Sequence, residues 1–151
     1  MLELLNFIKR KQNWEEKLVN APYHIKISKD NDLWLFKYDQ IKSDFSEPVV
    51  QDARGIIIDV SKMEIVCYPF SKFFNFMEMY AAPIDWETAR VQEKVDGSII
   101  KVWFYEGKWR ISTNGVINAF AAECFNGQFS YGELVQKELD KYSLDGLDKK
   151  A

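Results

Sequence analysis

Lys94 stands in the run Lys94-Val95-Asp96-Gly97-Ser98, ahead of the apolar stretch Ile99-Ile100-Lys101-Val102-Trp103-Phe104-Tyr105. A lysine just before a sharp glycine turn, on the lip of a strand, is placed where its amine can project into a pocket. Covalent chemistry by an amine requires such a place, because the nitrogen must lose its proton and meet an electrophile in line. The free side chain has a pKa of about 10.4, so burial or a neighbouring cation must lower it for attack at neutral pH. The five residues alone carry little weight. Asp-Gly is a common turn pair, and a surface hairpin turn is the competing explanation.

Three other segments add groups suited to the same chemistry. Gln51-Asp52-Ala53-Arg54-Gly55-Ile56-Ile57-Ile58-Asp59 puts an arginine and a glycine at the start of an apolar strand. Tyr68-Pro69-Phe70-Ser71-Lys72-Phe73-Phe74-Asn75-Phe76 sets one cation among aromatics, and Arg110-Ile111-Ser112-Thr113-Asn114-Gly115 follows the lysine. Transfer of a phosphoryl or nucleotidyl group needs positive charge where negative charge builds on phosphate. Arg54 offers a planar, permanent cation suited to phosphate or sugar oxygens, and Lys72 a point charge. Gly55 and Gly97 let a ligand approach the backbone closely. The competing roles are a structural ion pair of Arg54 with Asp52 or Asp59, and a solvated Lys72 at a strand end.

In combination and order, these segments resemble the ATP-dependent RNA ligases of the phage tRNA-repair type, within the wider superfamily of covalent nucleotidyltransferases. The resemblance runs from about Tyr38 to Gly115. It implies that Lys94 attacks the α-phosphate of ATP to give a lysyl-adenylate and pyrophosphate. The adenylate then passes to an RNA 5′-phosphate, and a 3′-hydroxyl displaces AMP. By position, Lys94 is the implied nucleophile, with Arg54 and Lys72 against the nucleotide and Tyr38 and Phe74 bordering it. Asp96 and Gly97 shape the lysine loop, and Glu93 and Asn114 complete the implied nucleotide-binding set. The implied cofactors are ATP and Mg²⁺ or Mn²⁺, and the implied partners are RNA ends, tRNA among them.

Two departures stand out. Asn114 occupies a place where related phage enzymes tend to carry lysine; asparagine can hydrogen-bond a ribose or phosphate but brings no charge. The family's later strands, with a glutamate between aromatics and a Lys-x-Lys pair, have no counterpart, since no acidic residue after Lys94 lies inside an apolar β-like run. The expectation is therefore a single domain, residues 1–151, forming the N-terminal portion of an adenylyltransferase domain. It would not complete strand joining alone. The alternative is a non-catalytic, ligase-like module that binds nucleotide, an RNA end or a second polypeptide completing the sheet.

The composition suits a folded chain: hydrophobic residues make up 47% and aromatics 15%, too many for disorder. A net charge of −3 argues mildly against a strongly basic nucleic-acid-binding face. Lys9, Arg10 and Lys11 read as a solvated helix face. Two cysteines and one histidine are too few for a zinc site of the usual spacing or for a Cys-His or Ser-His-Asp catalytic set. Cys67 reads as a buried, reduced thiol and His24 as a packing or hydrogen-bonding residue. No stretch reaches the roughly twenty apolar residues needed to span a bilayer, and the start lacks a signal-peptide pattern; a cytoplasmic location is expected.

These residues need elements to position them. The apolar spacing predicts a helix over about residues 2–19, strands over 23–27 and 33–38, and a polar loop from 39 to 48. Strands 56–60 and 65–70 follow, with Phe73, Phe74, Phe76 and Met79 as core. A strand carries the lysine from Val91, and a hairpin turns at Glu106-Gly107-Lys108. Helices are expected at 116–125 and 131–142, the second with Leu134, Val135 and Leu139 on one stripe, before a polar tail. The fold class is α+β, with antiparallel hairpins and short helices, agreeing with part of the nucleotidyltransferase fold.

Overall fold

A computed structural model describes residues 2–142 and 144. Four antiparallel strands in chain order form the main sheet: β1 (Ile25–Asp30), β2 (Leu33–Tyr38), β3 (Arg54–Asp59) and β4 (Glu64–Cys67). Asn31, at a positive φ of 52°, supplies the left-handed residue that a two-residue turn between β1 and β2 requires. The run Ile56-Ile57-Ile58 has no polar alternation because both faces of β3 are covered. Ile56 and Ile58 pack with Ile25 and Phe36 under helices α1 (Glu3–Arg10), α2 (Trp14–Val19) and α3 (Pro48–Asp52). Ile57 joins Leu33, Leu35, Val66 and Cys67 on the opposite face, beneath Trp103.

Trp103 belongs to a second antiparallel pair, β5 (Ile100–Tyr105) and β6 (Lys108–Thr113). Glu106 and Gly107, both at positive φ, make the expected tight turn. The hairpin is pinned to the end of β3. Tyr105 donates to Asp59, and Lys62 Nζ lies 2.7 Å from the Tyr105 hydroxyl and 3.0 Å from Glu106. Burial alone would raise the Asp59 carboxyl. Hydrogen bonds from Tyr105, Ser61 and Lys62 overcome this and hold it well below the usual carboxylate range.

A short pair, β7 (Glu123–Cys124) with β8 (Phe129–Ser130), leads into α4 (Tyr131–Leu139). Ser130 and Glu133 close its first turn as a reciprocal capping box.

The α+β class, the antiparallel hairpins and the buried, free Cys67 agree with the sequence. Several boundaries do not. The helix expected over 2–19 is broken at Lys11–Asn13, where Asn13 adopts a left-handed conformation. The polar run between Ile8 and Trp14 has nothing to bury, and the break lets two short helices pack separately on the sheet. The loop to Pro48 holds, but α3 then forms with proline in its first turn, where its missing N–H costs nothing. Residues 116–125 form one 3₁₀ turn, Ala119–Ala121, and a strand residue pair, not a helix. The helix after Tyr131 ends at Leu139 with Leu134, Val135 and Leu139 half-buried; most of the polar tail lies outside the described residues.

The aromatic segment departs furthest. Phe73 (56% exposed), Phe76 (65%) and Met79 (88%) are not core. Residues 68–99 contain no helix or strand, and β5 begins six residues after Lys94, so no strand carries the lysine.

Candidate nucleotide and lysine site

Arg54 opens β3, and the sheet turns irregular there: the β2–β3 register shifts between Phe36 and Lys37, leaving Gly55 out of the ladder. Gly55 takes a φ of +85°, and a Cβ on it would collide with the side chain of Asn114. Glycine is thus required twice, by conformation and by close approach. The consequence is that Arg54-Gly55 and Asn114, sixty residues apart in sequence, are neighbours.

The Arg54 guanidinium forms no ion pair with Asp52 or Asp59. It lies 4.3 Å from the Phe70 ring centre and 4.7 Å from that of Phe73. Asp52 is occupied elsewhere, accepting from the Leu4 backbone (3.2 Å) and from Ser71 (3.1 Å). One Arg54 nitrogen and the Asn114 Oδ1 are buried without a hydrogen-bond partner. Buried polar atoms without partners cost free energy, so these two mark a place shaped for something polar.

Lys72 sits in a second cluster. Its backbone N–H donates to Gln51 (2.7 Å), and its ammonium lies 4.7 Å from the Phe74 ring centre and 5.6 Å from that of Phe45. Edge-on aromatic contacts continue from Phe74 to Phe45 (6.2 Å) and from Phe45 to Tyr38 (5.1 Å). Beside it, a recess of about 320 Å³ is lined by Lys72, Phe74, Phe76, Tyr80 and Ile84 among others. The fold therefore gathers Tyr38, Lys72 and Phe74 around Phe45, and Arg54 and Asn114 around Gly55.

Lys94 stands apart. Its side chain is 74% exposed and its amine is paired with Asp96, whose carboxyl this hydrogen bond lowers. Gly97 adopts a φ of +147° in open space. Glu93 is exposed. Among the described residues, no hydrogen bond, ion pair or ring contact joins Lys94 or Glu93 to Arg54, Lys72, Phe74 or Asn114.

Two participants were not legible in advance. Phe45 lies in a loop whose composition reads as solvent-facing. Lys101 lies within an apolar run, yet its amine is buried and donates to the Gly55 carbonyl. Burial pulls that amine down to about 8, with the Cys67 thiol opposing the shift. Alternation held the signal, since Lys101 shares a face with Trp103 and Tyr105.

An RNA ligase family profile matches residues 52–150, most of the chain and all the lysine-bearing region. The chain belongs to the RNA ligase family. It is 31% identical over 125 residues to a protein of Autographa californica nuclear polyhedrosis virus whose name couples polynucleotide kinase with RNA ligase. That match covers 76% of this chain and 18% of the viral protein. It is 28% identical over 134 residues to an RNA ligase of Rhodothermus phage RM378, covering 73% of this chain and 29% of the relative. The chain thus spans less than a third of either relative's length. No solved structure matches it.

Proposed function

We propose that this chain carries the nucleotide-binding front of an ATP-dependent RNA ligase, with Lys94 as the adenylylated residue and the partial architecture of a nucleotidyltransferase domain. The observation that carries this reading is a pair of buried, partnerless polar atoms, one on the Arg54 guanidinium and one the Asn114 Oδ1, on two segments that meet where Asn114 closes on Gly55. A guanidinium resting against two aromatic rings and short of one acceptor suits a phosphate or ribose oxygen. Lys72 and Phe74 would flank the nucleotide with charge and an aromatic face, and Tyr38 would support them through Phe45.

The chemistry follows from those roles. A deprotonated Lys94 Nζ forms a bond to the α-phosphorus of ATP, the α–β phosphoanhydride breaks, and pyrophosphate departs with the electron pair. Arg54 and Lys72 would offset the charge that builds on the phosphate oxygens. Lys94 must leave Asp96 and move toward Arg54 before this can happen. Among the described residues, no group of three acidic, histidine or cysteine side chains could hold a metal ion. The Mg²⁺ or Mn²⁺ implied by the resemblance would therefore come with the ATP. An RNA 5′-phosphate, tRNA ends included, would accept the adenylate. No helix among the described residues is long and apolar enough to cross a membrane.

A second reading is favoured by the exposure of Lys94 and of the apolar side chains around it: a non-catalytic module that binds nucleotide, an RNA end or a second polypeptide that completes the domain. Intact mass after incubation with ATP and Mg²⁺ or Mn²⁺ separates the two. Gain of one adenylate by the parent, absent in Lys94→Ala, is the expected result. A folded parent that gains no adenylate with either metal would overturn the catalytic reading in favour of the module.

A further inference from the structure

Three cations stand side by side across the main sheet. Lys26 of β1 is the direct partner of Lys37 of β2, and Lys37 is the direct partner of Arg54 of β3. Cross-strand partners share one face, so all three lie on the face that carries the β5–β6 hairpin. With strands about 4.8 Å apart, the row extends roughly 10 Å from the sheet edge to the backbone of β3 at Arg54. Like charges placed directly opposite one another destabilise a sheet.

Neutralisation is incomplete. Lys26 pairs with Asp39 at 2.9 Å, and its side chain remains 70% exposed. Lys37 is half-buried, and no hydrogen bond or ion pair joins its ammonium to another of the described residues. The Asn114-Gly115 loop borders the row: a Cβ on Gly115 would lie 3.7 Å from Lys37 Nζ, and Ser28 donates to the Gly115 carbonyl at 3.4 Å. A lysine at β1 could serve only to guard a sheet edge. Lys37 lies on an interior strand, where that explanation fails. In a chain of net charge −3, a row of cations meeting at a nucleotide-shaped corner calls for a polyanion.

We propose that Lys26, Lys37 and Arg54 form a track for the phosphate backbone of the RNA strand, delivering its 5′-phosphate end to the corner at Arg54 and Asn114. This rests on the RNA-ligase reading, but its test does not depend on adenylylation.

The whole chain is titrated with a 5′-phosphorylated single-stranded RNA oligonucleotide, without ATP, by fluorescence anisotropy at several salt concentrations. Each phosphate contact to a single strand contributes about 0.7 to the slope of log K against log salt. The double variant Lys26→Gln/Lys37→Gln is expected to bind more weakly and to lose about 1.4 from that slope. Lys9→Gln, on the exposed face of α1, is expected to bind as the parent does. Should the double variant fail to fold, Lys26→Gln alone, at an exposed position, is expected to lose about 0.7. An unchanged slope in a folded variant overturns the track, as does a parent that binds no RNA. Equal displacement of RNA by polyglutamate would also overturn it and reassign the row to an acidic protein. A parent that gains no adenylate from ATP, while the double variant still loses slope as expected, would sink the catalytic reading and leave the track standing.

Discussion

Lys101 illustrates how a single residue can be held against its own solvation. Its amine lies at the junction of the main sheet and the hairpin, with the Gly55 carbonyl as acceptor and the Cys67 thiol nearby. Its folded pKa is depressed to about 8 from 10.5. The unfolded chain therefore binds more protons in the window above about 8, and stability rises with pH there. Burial raises the Cys67 thiol above its usual 9.0 and opposes this gain only at higher pH. Between pH 8 and 9 the parent should gain up to about 1 kcal/mol relative to Lys101→Met. Urea unfolding at the two pH values measures it, and parallel behaviour of parent and variant would show that the amine is not buried as charge.

The elements are fixed to one another at opposite ends of β3. At its start the close approach of Gly55 and Asn114 shapes the candidate site; at its end Asp59 anchors the hairpin through Tyr105 and Lys62. The Asp59 carboxyl is depressed, so its stabilising effect is present above the ordinary carboxylate range, near pH 4, and is lost as pH falls through the folded value. Asp59→Asn should cost about 1–3 kcal/mol at pH 7, with the difference from the parent shrinking below about pH 4. Thermal melts across pH 3–7 would reveal this, and a pH-independent difference would refute the electrostatic account. The hairpin itself was legible, because Glu106-Gly107 separates two alternating runs. The broken first helix was not, since its cause is the separate docking of two short helices.

For the whole molecule, the contrast lies between the covered sheet and the segment 68–99. Apart from Lys72 bonding Gln51, the backbone hydrogen bonds within that segment are two local turns, and Val91 and Val95 are 100% and 80% exposed. Cleavage follows local opening, which requires few contacts to break. Trypsin at low dose should cut first after Arg90 or Lys94, both exposed, and spare Arg54 and Lys101. Mass analysis of the first fragments decides this. Early cutting at Lys101 would mean that the hairpin, not the lysine segment, opens first.

The sequence by itself determined the chemical groups and the family: the Lys94 run, Arg54-Gly55, Lys72 among aromatics, and strands whose alternation and turns are local properties. It also determined a buried Cys67, because that residue lies inside a strand-forming apolar run, Ile65-Val66-Cys67-Tyr68. The tertiary structure alone decided which of those groups meet. Only the fold brings Asn114 onto Gly55, sets the Gly55 carbonyl against the Lys101 amine, and aligns Lys26, Lys37 and Arg54. It also leaves Phe73, Phe76 and Met79 exposed, where apolar composition read as core. Cross-strand register and contact between segments sixty residues apart depend on chain closure, which no local pattern encodes.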